Sequence, residues 1–234
     1  GLYLGMITLG STYLPISIGP GVTDTVMARL LGKLTIDGHE TPIDPLLRAN
    51  GLLCLGSSLP RLEEMLKEYD VRPQDLSLTK ISCGAEPSSD AVRMRFAERF
   101  GIWPRDNYGL GEFYGPGVAA ECEVGGGLHV LSDDFIAEVL DPDSGDPTPQ
   151  GEMGELVFTS LHKQAIPLFR YRTGDRVMAL PQRCPCGIAH KWVGRVPGRI
   201  STDDMVIPGG VIISRTYLEN ILLQVDGTGP EYAV

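Results

Sequence analysis

The first half of the chain alternates short apolar segments with helical patterns, and this alternation constrains the fold more than any other feature. Residues 14–18, 52–55 and 78–83 are apolar runs of strand length. A helical pattern follows each run, and the first of these helices is expected to begin at Thr23 or Asp24. Strands that alternate with helices in this way predict a mostly parallel sheet with covering helices.

The second and third predicted helices have capping residues and an apolar face. Ser58 is expected to cap the second helix, Ser88 or Ser89 to cap the third, and Gly101 to end the third. The side chains predicted to face the core are Leu59, Leu62, Met65, Leu66 and Tyr69 in the second helix and Val92, Phe96, Ala97 and Phe100 in the third.

The remainder of the chain has a different character. Residues 35–48 are polar and contain prolines, so a loop is predicted there. Between residues 128 and 180, short β-type runs are separated by turn sequences, which is typical of antiparallel strands and predicts a small, barrel-like subdomain or a distorted sheet. A cluster of Gly, Pro, Ser and Thr near Gly198 predicts a domain boundary. The predicted fold class is therefore α/β, followed by a β-rich subdomain.

The charge balance excludes some classes of partner. The 234 residues include 30 acidic and 20 basic side chains, which gives a formal net charge of −10. Because phosphate groups recruit Lys and Arg, this charge excludes a nucleic-acid polymer and an anionic membrane as partners. The apolar runs are too short to span a bilayer, and residues 1–22 lack the basic start of a signal peptide. The chain begins without Met and stops without a domain-closing element, so we expect a piece of a longer polypeptide.

The cysteine content indicates reduced thiols and a cytoplasmic protein. Five cysteines are too few for a disulfide scaffold in a chain of this length. Cys54 and Cys83 lie in apolar runs and are predicted to be buried as small hydrophobic residues. Cys184 and Cys186 form a Cys-Pro-Cys-Gly knuckle that directs two thiolates at one point, and some of the thiols are expected to be metal ligands.

Three segments fall where α/β proteins bind ligands, just beyond the ends of strands. Residues 84–87 (Gly-Ala-Glu-Pro) are equally compatible with an ordinary strand-to-helix turn. Residues 106–117 combine aromatic side chains, glycines and a carboxylate, which suit a planar base beside a phosphate-metal group. In residues 171–175, Asp175 can accept hydrogen bonds from two adjacent hydroxyls of a ribose, although a solvated turn aspartate is the commoner alternative.

The residues of these segments, and the order in which the segments occur, resemble those of the acyl-adenylate-forming ligases, and within them the phenylacetate–coenzyme A ligase family. The stretches that carry the resemblance are residues 81–87, 108–112, 115–122, 151–159 and 170–175, followed by Gly198-Arg199 before Asp203-Asp204-Met205. The resemblance extends over nearly the whole chain and is weakest in residues 30–50. Its combination of motifs is specific to this group of enzymes.

The resemblance implies an enzyme that uses ATP to activate a carboxylic acid, such as the aryl acid phenylacetate, and transfers the acyl group to coenzyme A. ATP or AMP, Mg2+ and coenzyme A would be its nucleotide, metal and co-substrate. Two alternatives remain: an adenylating enzyme that serves a carrier protein or an amine, and a truncated nucleotide-binding module without activity. A homodimer also stays open.

The resemblance further implies roles for individual residues. Gly84, Ala85, Glu86 and Asp106 would shape the adenine pocket, with the Tyr108 ring stacked on the base, and Pro87 and Gly109 are also implied to bind the nucleotide. Glu112 would be the catalytic residue that holds Mg2+ on the phosphates, Asp175 would accept both ribose hydroxyls, and Arg199 would contact ribose or phosphate. Asp203 would be the hinge of a small α+β C-terminal lid. The acid pocket would lie near Tyr114, Gly115 and Pro116.

This assignment divides the chain into a nucleotide-binding α/β part (residues 1–127), a β-rich subdomain (residues 128–197) and a hinge with the start of the lid (residues 198–234). The sequence departs from the family pattern at Gly111, where Ser or Thr is expected, and two extra residues separate Arg199 from Asp203. The phosphate loop expected before residue 1 and the lysine region expected after residue 234 are not in the sequence. By itself the chain is expected to adenylate poorly.

The cysteine knuckle resembles a structural zinc site of the same family. Its ligands by position would be Cys184, Cys186, Cys122 and His129, the last seven residues after Cys122. Three thiolates and one imidazole make a closed tetrahedral set, which suits structural zinc rather than catalytic zinc. His190 is a rival ligand, and a loop with unpaired thiols is the alternative.

Overall fold

The computed structural model describes residues 33–36, 39–42, 49–113, 115–200, 204–207, 211–222 and 224–225. The strands are β1 (Lys33–Ile36), β2 (His39–Pro42), β3 (Gly51–Cys54), β4 (Lys80–Gly84), β5 (Arg105–Leu110), β6 (Gly115–Glu121), β7 (Leu128–Val130), β8 (Phe135–Leu140), β9 (Met153–Ser160), β10 (Tyr171–Met178), β11 (Trp192–Val193), β12 (Asp204–Ile207) and β13 (Val211–Ser214). The α-helices are α1 (Ser58–Glu68), α2 (Asp90–Phe100) and α3 (Arg215–Leu222). The strand predicted over residues 14–18 and the helix predicted from Thr23 or Asp24 lie outside the described residues.

Strands β1 and β2 form an antiparallel hairpin in which Ile36 pairs with His39. The prediction of a loop over residues 35–48 is therefore wrong at this hairpin. Between the two paired residues the sequence reads Asp37-Gly38, and this dipeptide is among the strongest short signals for a hairpin. The polar composition and the prolines of the segment favour a loop, but the Asp-Gly turn directs the chain into a hairpin.

The main sheet has six strands in the order β11-β7-β6-β5-β4-β3. Strands β3, β4 and β5 are parallel, while β5, β6, β7 and β11 pair antiparallel with one another in that succession. The parallel sheet predicted for the first half is confirmed, and β3 and β4 lie within two residues of the predicted runs. The antiparallel strands extend the same sheet past residue 127, where the sequence predicted that the nucleotide-binding part ends. The predicted division between residues 127 and 128 stays a prediction.

Helices α1 and α2 pack against the parallel strands and enclose the first core. The oxygen of Ser89 caps α2 by accepting a hydrogen bond from the backbone N–H of Val92 at 3.3 Å, and Gly101 ends the helix with a left-handed φ of 69°. Helix α1 begins at Ser58, but its N-cap is Ser57, which makes no side-chain cap. The core residues of this cluster are Leu59, Leu62, Met65, Leu66, Val71, Leu78, Ile81, Cys83, Val92, Phe96 and Phe100.

Three residues predicted to be buried in these helices and strands need correction. Tyr69, predicted on the buried face of α1, is 45% exposed, because the helix ends at Glu68 and its periodicity no longer directs the next side chain. Ala97 in α2 and Cys54 in β3 are half-buried rather than fully buried, while Cys83 in β4 is fully buried as predicted.

Strands β8, β9 and β10 form a second, antiparallel sheet in the order β10-β9-β8. The antiparallel pairing agrees with the prediction for residues 128–180. In the part of the chain that the structure describes, these three strands form an open sheet with a register shift, so the barrel is wrong and the alternative of a distorted sheet agrees with the structure. A three-stranded sheet is too narrow to curl back on itself, and its apolar face is covered instead by packing with β5, β6 and β7 through Phe113, Val118, Val130, Phe135 and Phe158.

A short antiparallel pair, β12 and β13, precedes α3 near the end of the described chain. Asn220 of α3 accepts a hydrogen bond from the backbone N–H of Ala91 at 3.2 Å, which ties this helix to the start of α2. Asp203, the predicted hinge, lies outside the described residues. Among the described helices, none combines the length and apolar character that crossing a membrane requires.

Candidate functional site

A cavity of about 420 Å³, here called the central cavity, opens beyond the carboxyl end of β4 and between the two sheets. Three segments of the chain contribute to its walls: residues 85–87, 106–110 and 196–199. The predicted site residues that line it are Ala85, Glu86, Pro87, Asp106, Tyr108, Gly109, Asp175 and Arg199. Segments far apart in sequence therefore meet at one place, as the strand-end argument requires.

Asp175 lies on β10 and forms part of the wall of the central cavity. Its side chain is buried, and its two carboxylate oxygens accept hydrogen bonds from different residues. The Tyr108 hydroxyl donates to Oδ2, and Arg199 Nε donates to Oδ1 at 3.1 Å. Because a carboxylate offers about four acceptor positions, two remain for other donors such as the hydroxyls of a ligand.

The backbone around Asp175 explains its position. The pairing of β10 with β9 shifts register between Arg172 and Arg176, and Gly174 inside this irregularity has a φ of 74° that favours glycine. The Asp175 N–H donates to Thr173 Oγ1 at 3.0 Å, which stabilises the bulged segment. The irregularity turns the Asp175 side chain toward Tyr108 and Arg199 instead of along the regular strand.

Tyr108 lies on β5 and contacts both the carboxylate and the aromatic core. Its ring stacks on Phe158 with a centroid separation of 6.1 Å and an interplanar angle of 22°. Burial is the main cause that raises the pKa of the Tyr108 phenol far above its usual range, with the charge of Asp175 adding to the effect. The hydroxyl therefore stays protonated and acts as a donor to Asp175.

Two glycines allow the strands beside the cavity to approach closely. A Cβ on Gly84 would lie 2.6 Å from Asn107 Oδ1, and a Cβ on Gly109 would lie 2.1 Å from the carbonyl oxygen of Gly115. Asn107 uses this proximity to bridge to β4, donating from Nδ2 to Ser82 Oγ at 2.8 Å and to the Cys83 carbonyl at 3.1 Å. Gly84 is thus a spacing residue behind the wall, and it does not line the central cavity itself.

Asp106 is a buried carboxylate that lines the cavity. Burial raises its pKa to about 6, an effect that the positive charges of Arg195 and Arg93 oppose. Its backbone N–H donates to Glu121 Oε2 at 2.9 Å, and Glu121 in turn forms a buried ion pair with Arg93 at 2.5 Å. Sequence reasoning missed Arg93, Glu121 and Arg195, although one signal was available. Arg93 lies three residues before Phe96, on the apolar face of α2.

Glu112 lies outside the central cavity. It occupies a 3-10 turn over Gly111–Phe113 that the buried Phe113 anchors, and its own side chain is exposed. The Tyr171 hydroxyl donates to Glu112 Oε1 at 3.3 Å, and Lys163 Nζ donates to the Glu112 carbonyl. Burial is the main cause that raises the pKa of Tyr171, and the Glu112 charge adds to it.

The four predicted zinc ligands lie together. Their ligand atoms, from Cys122, His129, Cys184 and Cys186, are all within 4.8 Å of one another. Cys122 Sγ lies 3.7 Å from Cys184 Sγ, and Cys186 Sγ lies 3.3 Å from His129 Nε2. Zn–S bonds of about 2.3 Å in a tetrahedron place two sulfurs about 3.8 Å apart, so the donor set fits zinc.

The electrostatics of this cluster favour a metal at His129 and Cys122 and oppose it at Cys184, because a raised thiol pKa disfavours the thiolate form that binds a metal. Burial lowers the pKa of His129, which keeps its imidazole neutral, and burial raises the pKa of Cys184 to about 11. Burial alone would raise the pKa of Cys122, but hydrogen bonds from the Val124 backbone and from the other two thiols outweigh it and lower that pKa. The rival His190 does not belong to this group of four ligands, and its Nδ1 accepts a hydrogen bond from the Ser132 backbone at 3.3 Å.

Comparisons with known proteins give close relatives. No protein-family model matches the chain. It is 37% identical to a phenylacetate-coenzyme A ligase of Thermus thermophilus, over 100% of this chain and 49% of that protein. It is 34% identical to a phenylacetate-coenzyme A ligase of Escherichia coli, over 99% of this chain and 49% of that protein. The chain thus spans about half the length of the curated relatives it matches.

Solved structures share the fold. A 2-hydroxyisobutyryl-CoA ligase in its postadenylation state superposes with a TM-score of 0.80 at 23% identity, covering 97% of this chain and 46% of that one. ATP-bound MatB from Rhodopseudomonas palustris superposes with a TM-score of 0.56 at 18% identity, covering 77% of this chain and 36% of that one. At these identities the likeness concerns the arrangement of strands and helices.

Proposed function

The chain belongs to the phenylacetate–coenzyme A ligase family, and on that basis we propose that the protein activates a carboxylic acid with ATP and passes the acyl group to coenzyme A. In the first step a carboxylate oxygen attacks the α-phosphorus of ATP, which forms an acyl-adenylate and releases pyrophosphate. In the second step the thiolate of coenzyme A attacks the acyl carbon and releases AMP.

The observation that carries the proposal is the fixed carboxylate of Asp175 in a cavity with an aromatic side chain and an arginine. Asp175 would accept hydrogen bonds from the two ribose hydroxyls through its remaining acceptor positions. Tyr108 would offer its ring to the adenine, beside the wall formed by residues 85–87. Arg199, which already binds Asp175, would contact the ribose or a phosphate.

Positioning is the main contribution that such a site makes to catalysis. Adenylation requires the acid oxygen, the α-phosphorus and the leaving pyrophosphate to lie in line, and few covalent steps are left to side chains. A wall with its carboxylate already held by Tyr108 and Arg199 needs little rearrangement when the nucleotide binds. This preorganisation supports nucleotide binding as the first task of the central cavity.

Glu112 is proposed as the residue that holds Mg2+. Mg2+ is usually bound by one or two carboxylates together with substrate phosphates, and the exposed Glu112 carboxylate fits that pattern. When bound, the ion would neutralise charge on the phosphates. Tyr171, which donates to one Glu112 oxygen, would orient the other oxygen toward the ion.

The cluster of Cys122, His129, Cys184 and Cys186 is proposed as a structural zinc site. A closed set of four protein ligands leaves no open position for substrate, so zinc would supply stability and no catalytic chemistry. His129 lies on β7 and Cys122 directly follows β6, while the knuckle precedes β11. The ion would therefore fasten the edge of the main sheet.

The acid is proposed to be an aryl acid such as phenylacetate, bound near Gly115 and Pro116. The relatives named phenylacetate-coenzyme A ligase support this class. The third residue predicted for this pocket, Tyr114, lies outside the described residues. One methylene of discrimination is worth only about 1–3 kcal/mol, so a series of closely related acids must be compared.

The proposal is tested with full-length protein, ATP, Mg2+ and a panel of aryl and alkyl acids. We expect pyrophosphate release with an aryl acid and formation of its coenzyme A thioester. Pyrophosphate release without thioester would instead indicate an enzyme that serves a carrier protein or an amine. Absence of AMP binding by calorimetry would contradict both enzymatic functions.

A further inference from the structure

Arg195, which none of the roles above uses, connects two walls of the central cavity. It follows β11 and directly precedes residues 196–199, which form one wall. Its Nη2 donates to Asp90 Oδ1 at 2.6 Å, and its Nη1 donates to the Ser88 carbonyl at 3.3 Å. Ser88 and Asp90 follow directly on residues 85–87, the opposite wall. The Arg195 side chain is only 18% exposed, and it connects the two walls without being part of the cavity lining.

The same guanidinium lies beside Asp106. Arg195 Nη1 is 3.9 Å from Asp106 Oδ2, and Asp106 lines the cavity. The other charged groups that face Asp106 are Arg93 of α2 and Glu121 of β6. Arg93 forms ion pairs with Glu121 and with Asp90, so these two carboxylates already compensate its charge. Arg195 shares Asp90 with Arg93, and it is the cation whose guanidinium lies 3.9 Å from the buried Asp106 carboxylate.

The geometry of arginine is needed for this arrangement. A guanidinium presents several N–H donors in a planar fork, so two of its nitrogens can reach separate partners at once. Nη1 and Nη2 of Arg195 do this with Ser88 and Asp90. The single ammonium of a lysine would reach one of these groups and leave the other without its donor.

We propose that Arg195 is a positioning residue of the central cavity, which holds residues 85–87 and the Asp106 side chain in the geometry that binds the adenosine part of the nucleotide. The inference rests on the proposed function and adds a residue to it. Arg195 does not touch the cavity itself and acts through Ser88, Asp90 and Asp106.

The first test measures AMP binding by calorimetry in the full-length protein with Arg195→Ala, Arg195→Lys and Arg99→Ala. Arg99 is the matched control, since its Nη1 joins α2 to Glu63 of α1 at 3.1 Å without lining the cavity. We expect AMP to bind about tenfold more weakly to Arg195→Ala, with an intermediate loss in Arg195→Lys, and within about twofold of wild type in Arg99→Ala. Equal AMP affinities in the two alanine variants would overturn the proposal.

The second test follows the Asp106 carboxyl by 13C NMR without nucleotide, with its signal assigned from Asp106→Asn. Removing the positive charge of Arg195 should move the titration midpoint of Asp106 to higher pH, while Arg99→Ala leaves it unchanged. An unchanged midpoint in Arg195→Ala would overturn the role through Asp106. Failure of the wild type to bind AMP would refute the proposed function, and the titration would still decide whether Arg195 controls Asp106.

Discussion

The hydroxyl of Tyr108 donates a hydrogen bond to Oδ2 of Asp175 across 67 residues of sequence, joining β5 of the main sheet to β10 of the second sheet. Arg199 Nε donates a hydrogen bond to the other carboxylate oxygen of Asp175, Oδ1, at 3.1 Å. The three residues come from three separate motifs, so the cavity exists only when the two sheets pack together. Ligand affinity and packing of the two sheets are therefore linked at Asp175.

Replacing Asp175 with asparagine is expected to weaken AMP binding about tenfold or more. The amide keeps the shape of the side chain but loses the charge and one of the acceptors that the ribose hydroxyls would use. Calorimetry with AMP and Mg2+ measures the change. Asp141→Asn, at an exposed turn where Asp141 accepts hydrogen bonds from Asp143 and Ser144, is the control and should bind AMP normally. Unchanged AMP affinity in Asp175→Asn would contradict the ribose assignment.

Replacing Tyr108 with phenylalanine separates the hydrogen bond from the ring. The variant keeps the stacking on Phe158 but leaves Asp175 without one donor, so the free energy of unfolding should fall by about 1–3 kcal/mol. Urea denaturation measures this loss. Tyr171→Phe, whose hydroxyl makes only an exposed contact of 3.3 Å with Glu112, should lose less stability. A Tyr108→Phe protein as stable as the wild type would show that the contact with Asp175 does not stabilise the fold.

The sequence predicted those parts of the fold and site that local patterns determine. The cap at Ser89 and the end of α2 at Gly101 follow from short-range chemistry, and the structure has both. The hairpin of β1 and β2 was missed because polar residues and prolines were given more weight than the Asp37-Gly38 signal. Tyr69 was misplaced because the periodicity of a helix does not show where the helix ends.

The network behind the central cavity could not be predicted from local patterns. Arg195 contacts Asp90 across 105 residues and Ser88 across 107, and neither contact leaves a periodic signature. Glu121 is a strand residue next to a cysteine, and only the fold shows that it faces Arg93. The motifs identified eight residues that line the cavity, and also Gly84 and Glu112, which lie outside its lining. Long-range packing determines which residues hold the lining in place.

Removing zinc is expected to destabilise the protein. A chelator should lower the melting temperature by several degrees, about 4 °C or more, because a closed metal site contributes its binding free energy to folding. Metal analysis of protein purified without chelator should give about one zinc per chain. Cys186→Ser should abolish this zinc, whereas Cys54→Ser, at a thiol 3.8 Å from Cys83 and outside the cluster, should retain it. Protein without zinc and indifferent to chelator would contradict a structural site.

The buried Asp106 predicts a pH dependence of stability. Its pKa in the folded protein is about 6 against an ordinary value of 3.8, so the folded state retains a proton that the unfolded state has already lost. The stabilisation from this group is complete below about pH 4 and is lost as the pH rises through 6, by about 3 kcal/mol at most. The measurement is the difference in unfolding free energy between wild type and Asp106→Asn from pH 4 to 7. The variant should gain stability relative to wild type over this interval, and a constant difference would refute the raised pKa.

The final prediction concerns the contribution of the buried ion pair between Arg93 and Glu121 to stability. Both side chains are almost fully buried and lie 2.5 Å apart, and Arg93 also stacks over Trp103 at 4.9 Å. Arg93→Ala should lower the free energy of unfolding by about 3–5 kcal/mol, since it leaves the Glu121 carboxylate buried without its cation. The double variant Arg93→Met with Glu121→Leu should be less destabilised than Arg93→Ala, because neither charge remains to be compensated.

The control for this pair is Arg61→Ala on the exposed face of α1, where the ion pair with Glu64 is half-exposed and should contribute little. Chemical denaturation of all three proteins gives the comparison. The double variant also tests the connection to the cavity, because Glu121 accepts a hydrogen bond from the Asp106 backbone and Arg93 contributes a positive charge near its carboxyl. Because the double variant loses the hydrogen bond from the Asp106 backbone, AMP should bind more weakly to it even where its stability approaches that of wild type. Wild-type AMP affinity in a well-folded double variant would show that the position of Asp106 in the cavity does not depend on Glu121.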